Sequence, residues 1–352
     1  MEEDGRHIAP DLGLLTGEGS QQRIGTAGEA FPSRTFIWRD LPSHSFEEEQ
    51  PTYYGRPVLK EPVWIWSVPV YFYVGGTAGA SAVLAAAAHA LGEGELDGLV
   101  KSCRRVAAVG GVVGSALLVY DLGRPERFLH MLRVIRPTSA MSLGSWVLAV
   151  AASATLGSAL LAGRKGFLGR LGDLSGYVAA LFGMPLSGYT AVLLGNTAVP
   201  VWNATRRSLP HLFIGTSVSG LASLFGLLPV GLEPQERTIV ERFGVVGKVV
   251  DLAAMAVVER EAGHAEPALK EGVSGALWTA ARILTGASLA LSLLPGGKRA
   301  RRVAGGLLGT AGALALRFAV FQAGKASARD PRATFRRQRD SHGEAPESSL
   351  DR

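Results

Sequence analysis

Eight apolar segments separated by short charged loops fill the middle of the chain, near residues 67–91, 104–121, 141–162, 172–194, 209–230, 244–260, 272–294 and 302–323. Runs of roughly 20 residues cross a hydrocarbon core of about 30 Å as helices. In lipid, helices and closed barrels are the only spanning structures whose backbone polar groups are all satisfied internally. The expected fold is therefore an all-α integral membrane protein with eight transmembrane helices. The sixth segment is the weakest, because Lys248, Asp251 and Glu259 interrupt it. Composition agrees: 47% of the 352 residues are hydrophobic, and the mean hydropathy is +0.20. A soluble chain of this length seldom keeps a positive average.

Polar tails flank the spans. Residues 1–62 carry six Lys/Arg against eleven acids, and no basic stretch followed by an apolar run opens the chain, so no cleavable signal peptide is expected. From Lys325 the chain is again charged, through Arg336, Arg337 and Arg339. The expected parts are a tail over 1–62, a first four-helix bundle over 63–195, a second over 196–324 and a tail over 325–352. An even number of crossings puts both tails on one side. With that side outside, the short inside loops hold twelve Lys/Arg against eight in the outside loops, a mild positive-inside preference. The basic C-terminal tail votes the other way.

Glycine is abundant, 45 residues against 18 prolines. The pairs Gly75/Gly79, Gly110/Gly114, Gly172/Gly176 and Gly305/Gly309 each put two small residues on one helix face, where a neighbour can pack closely. A high glycine background also produces such pairs by chance.

The polar residues at membrane depth carry the functional signal. Asp121 closes the second apolar segment, Gly123 permits a sharp turn, and Arg124 is its expected partner. An ordinary helix end with a surface ion pair would read the same way. The following loop adds Glu126, Arg127 and His130 beside an apolar wall, which suits a polar head group on an apolar molecule. With alternating spans, Ser67 and Tyr71, Asp121 and Arg124, Met141 and Ser142, and Tyr189 all fall at one face. The tyrosines taken alone also fit an interfacial aromatic belt. Lys248, Asp251, Glu259, Arg282 and Arg317 form a second set, either a proton path or structural ion pairs, with Asp251 neutralised by Lys248 or Arg317.

Redox metal chemistry finds no ligands in the spans. The seven histidines, His7, His44, His89, His130, His211, His264 and His342, all avoid mid-span positions, so no haem pair is expected. One cysteine, Cys103, cannot hold an iron–sulfur cluster. No nucleotide-binding loop is visible, and the scattered positive charge argues against nucleic acid.

The stretch Tyr71-Phe72-Tyr73-Val74-Gly75-Gly76-Thr77-Ala78-Gly79, then Asp121-Leu122-Gly123-Arg124-Pro125 and Pro137-Thr138-Ser139-Ala140-Met141-Ser142 with Gly144-Ser145-Trp146, resembles the NrfD/PsrC family. Gly188-Tyr189-Thr190, Pro200-Val201-Trp202-Asn203 and Leu316-Arg317-Phe318-Ala319-Val320 extend the resemblance over roughly residues 50–330. These are the membrane subunits of polysulfide-reductase-type molybdoenzyme complexes. The resemblance implies two four-helix bundles in the inner (cytoplasmic) membrane. It also implies a quinone or quinol site, for menaquinone or ubiquinone, lined by Asp121 and Tyr189. The expected partners are a ferredoxin-like iron–sulfur subunit and a molybdopterin catalytic subunit, with membrane lipid around the spans. Tyr71 stands where some members have His and Ser67 where they have Asn, which shifts proton handling toward Asp121. The competing expectations are a stand-alone proton-coupled secondary transporter, using Lys248, Asp251, Arg282 and Arg317, and a pure anchor with a vestigial pocket. Under the partnered reading, the acidic tail with Tyr53-Tyr54-Gly55-Arg56-Pro57 lies along the iron–sulfur subunit. Deleting residues 1–50 then weakens co-purification of that subunit while membrane insertion stays intact.

Overall fold

The computed structural model describes residues 59–334 apart from 123, 134, 296, 297 and 332, and apart from the side chain of Arg127. The tail residues 1–58, Gly123 and the Arg336, Arg337, Arg339 run lie outside the described residues. Among those described, every regular element is helical. Eight long helices follow one another: α1 Ser67–Leu91, α2 Asp97–Asp121, α3 Ala140–Leu160, α4 Phe167–Gly195, α5 Leu209–Leu227, α6 Pro234–Ala262, α7 Gly272–Leu293 and α8 Arg299–Arg329. Short helical turns lie between some of them, at Pro125–Arg127, Phe128–Met131, Pro200–Ala204, Gly263–Ala265 and Pro267–Lys270.

Seven of the eight are long and apolar enough to cross a membrane; α6 is the exception. Its 29 residues are ample in length, but its first half carries Glu236, Arg237, Glu241, Arg242 and Lys248. Several helices also outrun their apolar segments: α2 starts at Asp97 rather than near 104, and α6 at Pro234 rather than near 244. Hydropathy marks the part of a helix that prefers lipid, whereas the hydrogen-bonded ladder continues until a cap stops it. For α6 that start is explicit. Pro234 sits in the first turn, and Glu233 and Glu236 form a reciprocal capping box.

Packing follows the chain order. Helix α1 lies against α2 and α4, and α3 against α2 and α4. Helix α5 lies against α6 and α8, and α7 against α6 and α8. The two sets meet where α1 and α4 touch α5, and where α1 touches α8. Glycines set the closeness. A Cβ at Gly110 would lie 2.7 Å from the Ala78 Cβ, and one at Gly183 would lie 2.9 Å from the Gly79 carbonyl oxygen. Gly305 is different, since the nearest side-chain atom to its Cβ position is Leu291 Cβ at 3.8 Å.

Beneath α8, Trp202 is buried and donates its indole N–H to the Val320 carbonyl at 2.9 Å. Trp64, from the segment preceding α1, stacks on its other side at 6.1 Å. Glu61 in the same segment accepts a two-pronged hydrogen bond from Arg329 at 2.8 and 2.9 Å. A Cβ at Gly324 would collide with the Trp202 ring. Gly324→Ala is therefore expected to destabilise the protein by about 1–3 kcal/mol, as overpacking of a rigid core does. A thermal-unfolding scan in detergent reads this directly, with Gly305→Ala, which has room, as the near-neutral comparison.

Candidate functional site

The first polar cluster forms where α1 begins and α2 ends. Trp66 occupies the N-cap position of α1 and supplies no side-chain cap. The neighbouring helix instead ties down the entry to α1: Asp121 Oδ1 accepts a hydrogen bond from the Ser67 hydroxyl at 3.0 Å and another from the Ile65 N–H, just before the helix, at 3.3 Å. A carboxylate at a helix N-terminus is favoured by the helix dipole and the unpaired N–H groups there. Ser67 is fully buried and Asp121 half-buried, so this contact sits at the rim of the core rather than in open solvent.

Arg124 does not take the place expected for it. Its side chain is exposed, and the turn is closed by its backbone N–H donating to the Leu122 carbonyl at 2.7 Å. Asp121 meets Ser67 and the Ile65 N–H, because the segment entering α1 reaches the carboxylate across the α1–α2 contact. Around the cluster, Trp66 and Tyr120 pair at 6.3 Å with both rings exposed, as interfacial aromatics do.

Tyr71 lies one turn further along α1 and is buried. Its ring is wedged by glycine: a Cβ at Gly114 of α2 would lie 3.3 Å from Tyr71 Cδ2. Val68, Phe72 and Leu117 belong to the same apolar cluster, so a polar rim and an apolar wall adjoin. Tyr189 belongs to a different contact. Its ring crosses Gly144 of α3, where a Cβ would come within 2.6 Å, and its hydroxyl donates to the Ala140 carbonyl at the start of α3. That donor is already committed. The loop before α3 is organised by Ser139, which caps the helix through the Ser142 N–H, and by Ser142, which accepts from the Arg136 N–H at 3.0 Å.

The second polar set divides into three. Glu259 of α6 pairs with Arg282 of α7 and accepts the Trp278 indole N–H, a structural tie between the two helices. Lys248 donates to Ser292 of α7 at 2.8 Å. Asp251 turns toward α5, where Oδ1 accepts from the Thr216 hydroxyl at 2.6 Å. Lys248 and Asp251 share a helix yet serve different neighbours, and neither Lys248 nor Arg317 forms an ion pair with Asp251 among the described residues.

Arg317 of α8 is wholly buried. Its Nη2 donates to the Phe213 carbonyl at 2.9 Å and the Ser217 hydroxyl at 3.0 Å, and the guanidinium lies 3.8 Å over the Phe213 ring. Among the described residues, Asp251 Oδ2, Arg317 Nε and Arg317 Nη1 have no hydrogen-bond partner. Several participants were not singled out from the sequence: Thr216, Ser217, and Tyr73 beside Thr77 and Thr310. The available signal was the run of hydroxyl residues in α5, Thr216, Ser217, Ser219 and Ser223, all buried in an otherwise apolar helix. Glycines admit the polar face of α6: Cβ atoms at Gly215 and Gly247 would lie 2.9 Å from the Asp251 N and 2.6 Å from the Ser219 N.

Thr216→Val keeps the shape of that contact and removes a donor from a buried carboxylate. It is expected to cost about 1–3 kcal/mol of stability, read from unfolding in detergent, and an unchanged midpoint would show that Asp251 finds another donor.

No curated protein matches the chain. A family model described as "Polysulphide reductase, NrfD" matches residues 57–327, which includes both polar clusters and all but the last two residues of α8. The chain is a multi-pass membrane protein that belongs to the NrfD polysulphide reductase family.

Proposed function

We propose that this chain is the quinone-reactive membrane subunit of a molybdopterin oxidoreductase complex in the inner membrane. In this reading it exchanges electrons with a ferredoxin-like iron–sulfur subunit and handles the quinone protons, while a molybdopterin subunit performs the substrate chemistry. Family membership supports the setting. The observation that carries the reading is Asp121, a half-buried carboxylate held at the start of α1 by Ser67 and the Ile65 N–H.

The residues present fit a quinone. Both donors to Asp121 bond Oδ1, so neither uses Oδ2, which is the atom proposed to take or give a proton. The Tyr71 phenol is suited to donate to a carbonyl oxygen, and Val68, Phe72 and Leu117 supply the apolar surface for a ring and tail. Arg124, exposed in the turn three residues after the carboxylate, adds a positive charge to that end of the protein. Tyr189 shapes the α3–α4 side through its bond to Ala140 rather than by donating to a ligand. When bound, a quinone supplies two-electron, two-proton chemistry. The chain's own part is to orient the ring, keep the site dry and hold a proton at Asp121.

The helix neighbours support an arrangement of eight crossings in two four-helix bundles, with Lys248, Asp251 and Glu259 of α6 bonded to α5 and α7. Both tails then share one side, which the loop charges favour as the outside. The Asp251–Arg317 set favours a second reading, proton-coupled transport, because unpaired buried groups of opposite charge suit a proton route.

The two readings separate in the assembled complex. Asp121→Asn is expected to lower quinone turnover about 100-fold or more, the usual loss for a removed acid–base group, with co-purified partner unchanged. Full turnover in that variant, with loss in Asp251→Asn instead, would move the function to the second bundle.

A further inference from the structure

A cavity of about 450 Å³ opens at the opposite end of the protein from Asp121, between the end of α5, the start of α6, the end of α7 and the start of α8. Lys248, Arg237, Arg299, Arg301 and Arg302 line it, against a single carboxylate, Glu241. Several of these cations are already anchored. Arg301 donates to the Pro295 carbonyl at 2.6 Å and Arg237 to the Leu232 carbonyl at 3.1 Å. Lys248 is buried and spends one donor on Ser292, at 2.8 Å, which leaves two of its three. Phe225, Leu227, Leu291 and Val303 form an apolar part of the wall. Gly226 and Gly306 let α5 and α8 touch at its floor, where a Cβ on Gly226 would lie 2.9 Å from the Arg302 carbonyl oxygen.

We propose that this cavity binds the phosphate of an anionic amphiphile, and that the amphiphile is a membrane phospholipid. Five cations around one carboxylate repel one another unless an anion joins them, and arginine forks match phosphate oxygens. A free phosphate shares that chemistry but has no use for the apolar wall, whereas a glycerophospholipid needs both. The position also fits. The cavity lies where helices leave the bilayer, at head-group depth. It is on the side whose short loops carry the larger share of Lys and Arg, the side that faces the anionic leaflet under the positive-inside rule. The proposal does not depend on the quinone reading, since it concerns the other end of the protein.

The test is native mass spectrometry of the detergent-purified, delipidated complex, titrated with phosphatidylglycerol or with phosphatidylcholine of the same acyl chains. Phosphatidylglycerol is expected to bind in preference. Its affinity should fall about fivefold for each cation removed in Arg299→Gln and Lys248→Gln/Arg299→Gln. Lys101→Gln/Arg105→Gln, which removes two charges from the same side away from the cavity, should leave binding unchanged. Arg299 is exposed, so its single variant gives a readable result even if Lys248→Gln does not fold. Equal binding of the two lipids, or an equal loss in the Lys101/Arg105 variant, overturns the site. Displacement of the lipid by millimolar inorganic phosphate, with the same thermal stabilisation by phosphate alone, overturns the lipid assignment in favour of a soluble anion.

Discussion

A guanidinium buried in the middle of a membrane protein must find its partners within the protein, and Arg317 is where that constraint falls hardest. Its bonds to the Phe213 carbonyl and the Ser217 hydroxyl draw α8 onto α5. The Ser217 hydroxyl, whose nearest acceptor is the Phe213 carbonyl at 2.7 Å, also lies 3.2 Å from the Ser187 carbonyl of α4, and a side chain at Gly76 of α1 would strike it. One cation thus gathers four helices drawn from both halves of the chain. Such a junction tolerates little movement, because each donor lost there leaves a polar group stranded away from water.

From that junction the contacts run outward to the first polar cluster. Arg317 lies over Phe213, Phe213 pairs with Phe72 at 5.7 Å, and Phe72 pairs with Tyr71 at 6.1 Å. Tyr71 then rests on α2, which carries Asp121. The carboxylate therefore stands on helices that the buried arginine helps to hold in register. At the other end, Glu236 plays a comparable part. It is buried, completes the capping box of α6, and accepts the Leu99 N–H of α2 at 2.6 Å. An acid at two helix N-termini at once satisfies orphan N–H groups that a bilayer would not.

Much of this was legible in the residue order. Apolar segments alone located eight long helices, and the weakness of the sixth was visible in Lys248, Asp251 and Glu259. Asp121 stood out because a carboxylate closing an apolar run needs a reason. Its partner was misread: Arg124, nearby in sequence, was the natural expectation, but the donors are Ser67 and the Ile65 N–H, over fifty residues away. Lys248 and Asp251 stood in one set, with an ion pair between them as one of the options. In the structure they serve α7 and α5 separately.

The sequence by itself determined that the chain is helical, that it is built for a bilayer, and which charged residues are out of place there. Those properties follow from hydrophobic length and from the cost of unpaired polarity in lipid, which act on each segment independently. Only the tertiary structure decided who satisfies whom: that Asp121 binds the Ser67 hydroxyl and the Ile65 N–H at the entry to α1, that Arg317 binds backbone and hydroxyl rather than Asp251, and that five cations converge on one cavity. Side-chain pairing depends on helix rotation and on how closely glycine lets two helices approach. Neither can be read from a single segment, because each exists only once two helices have met.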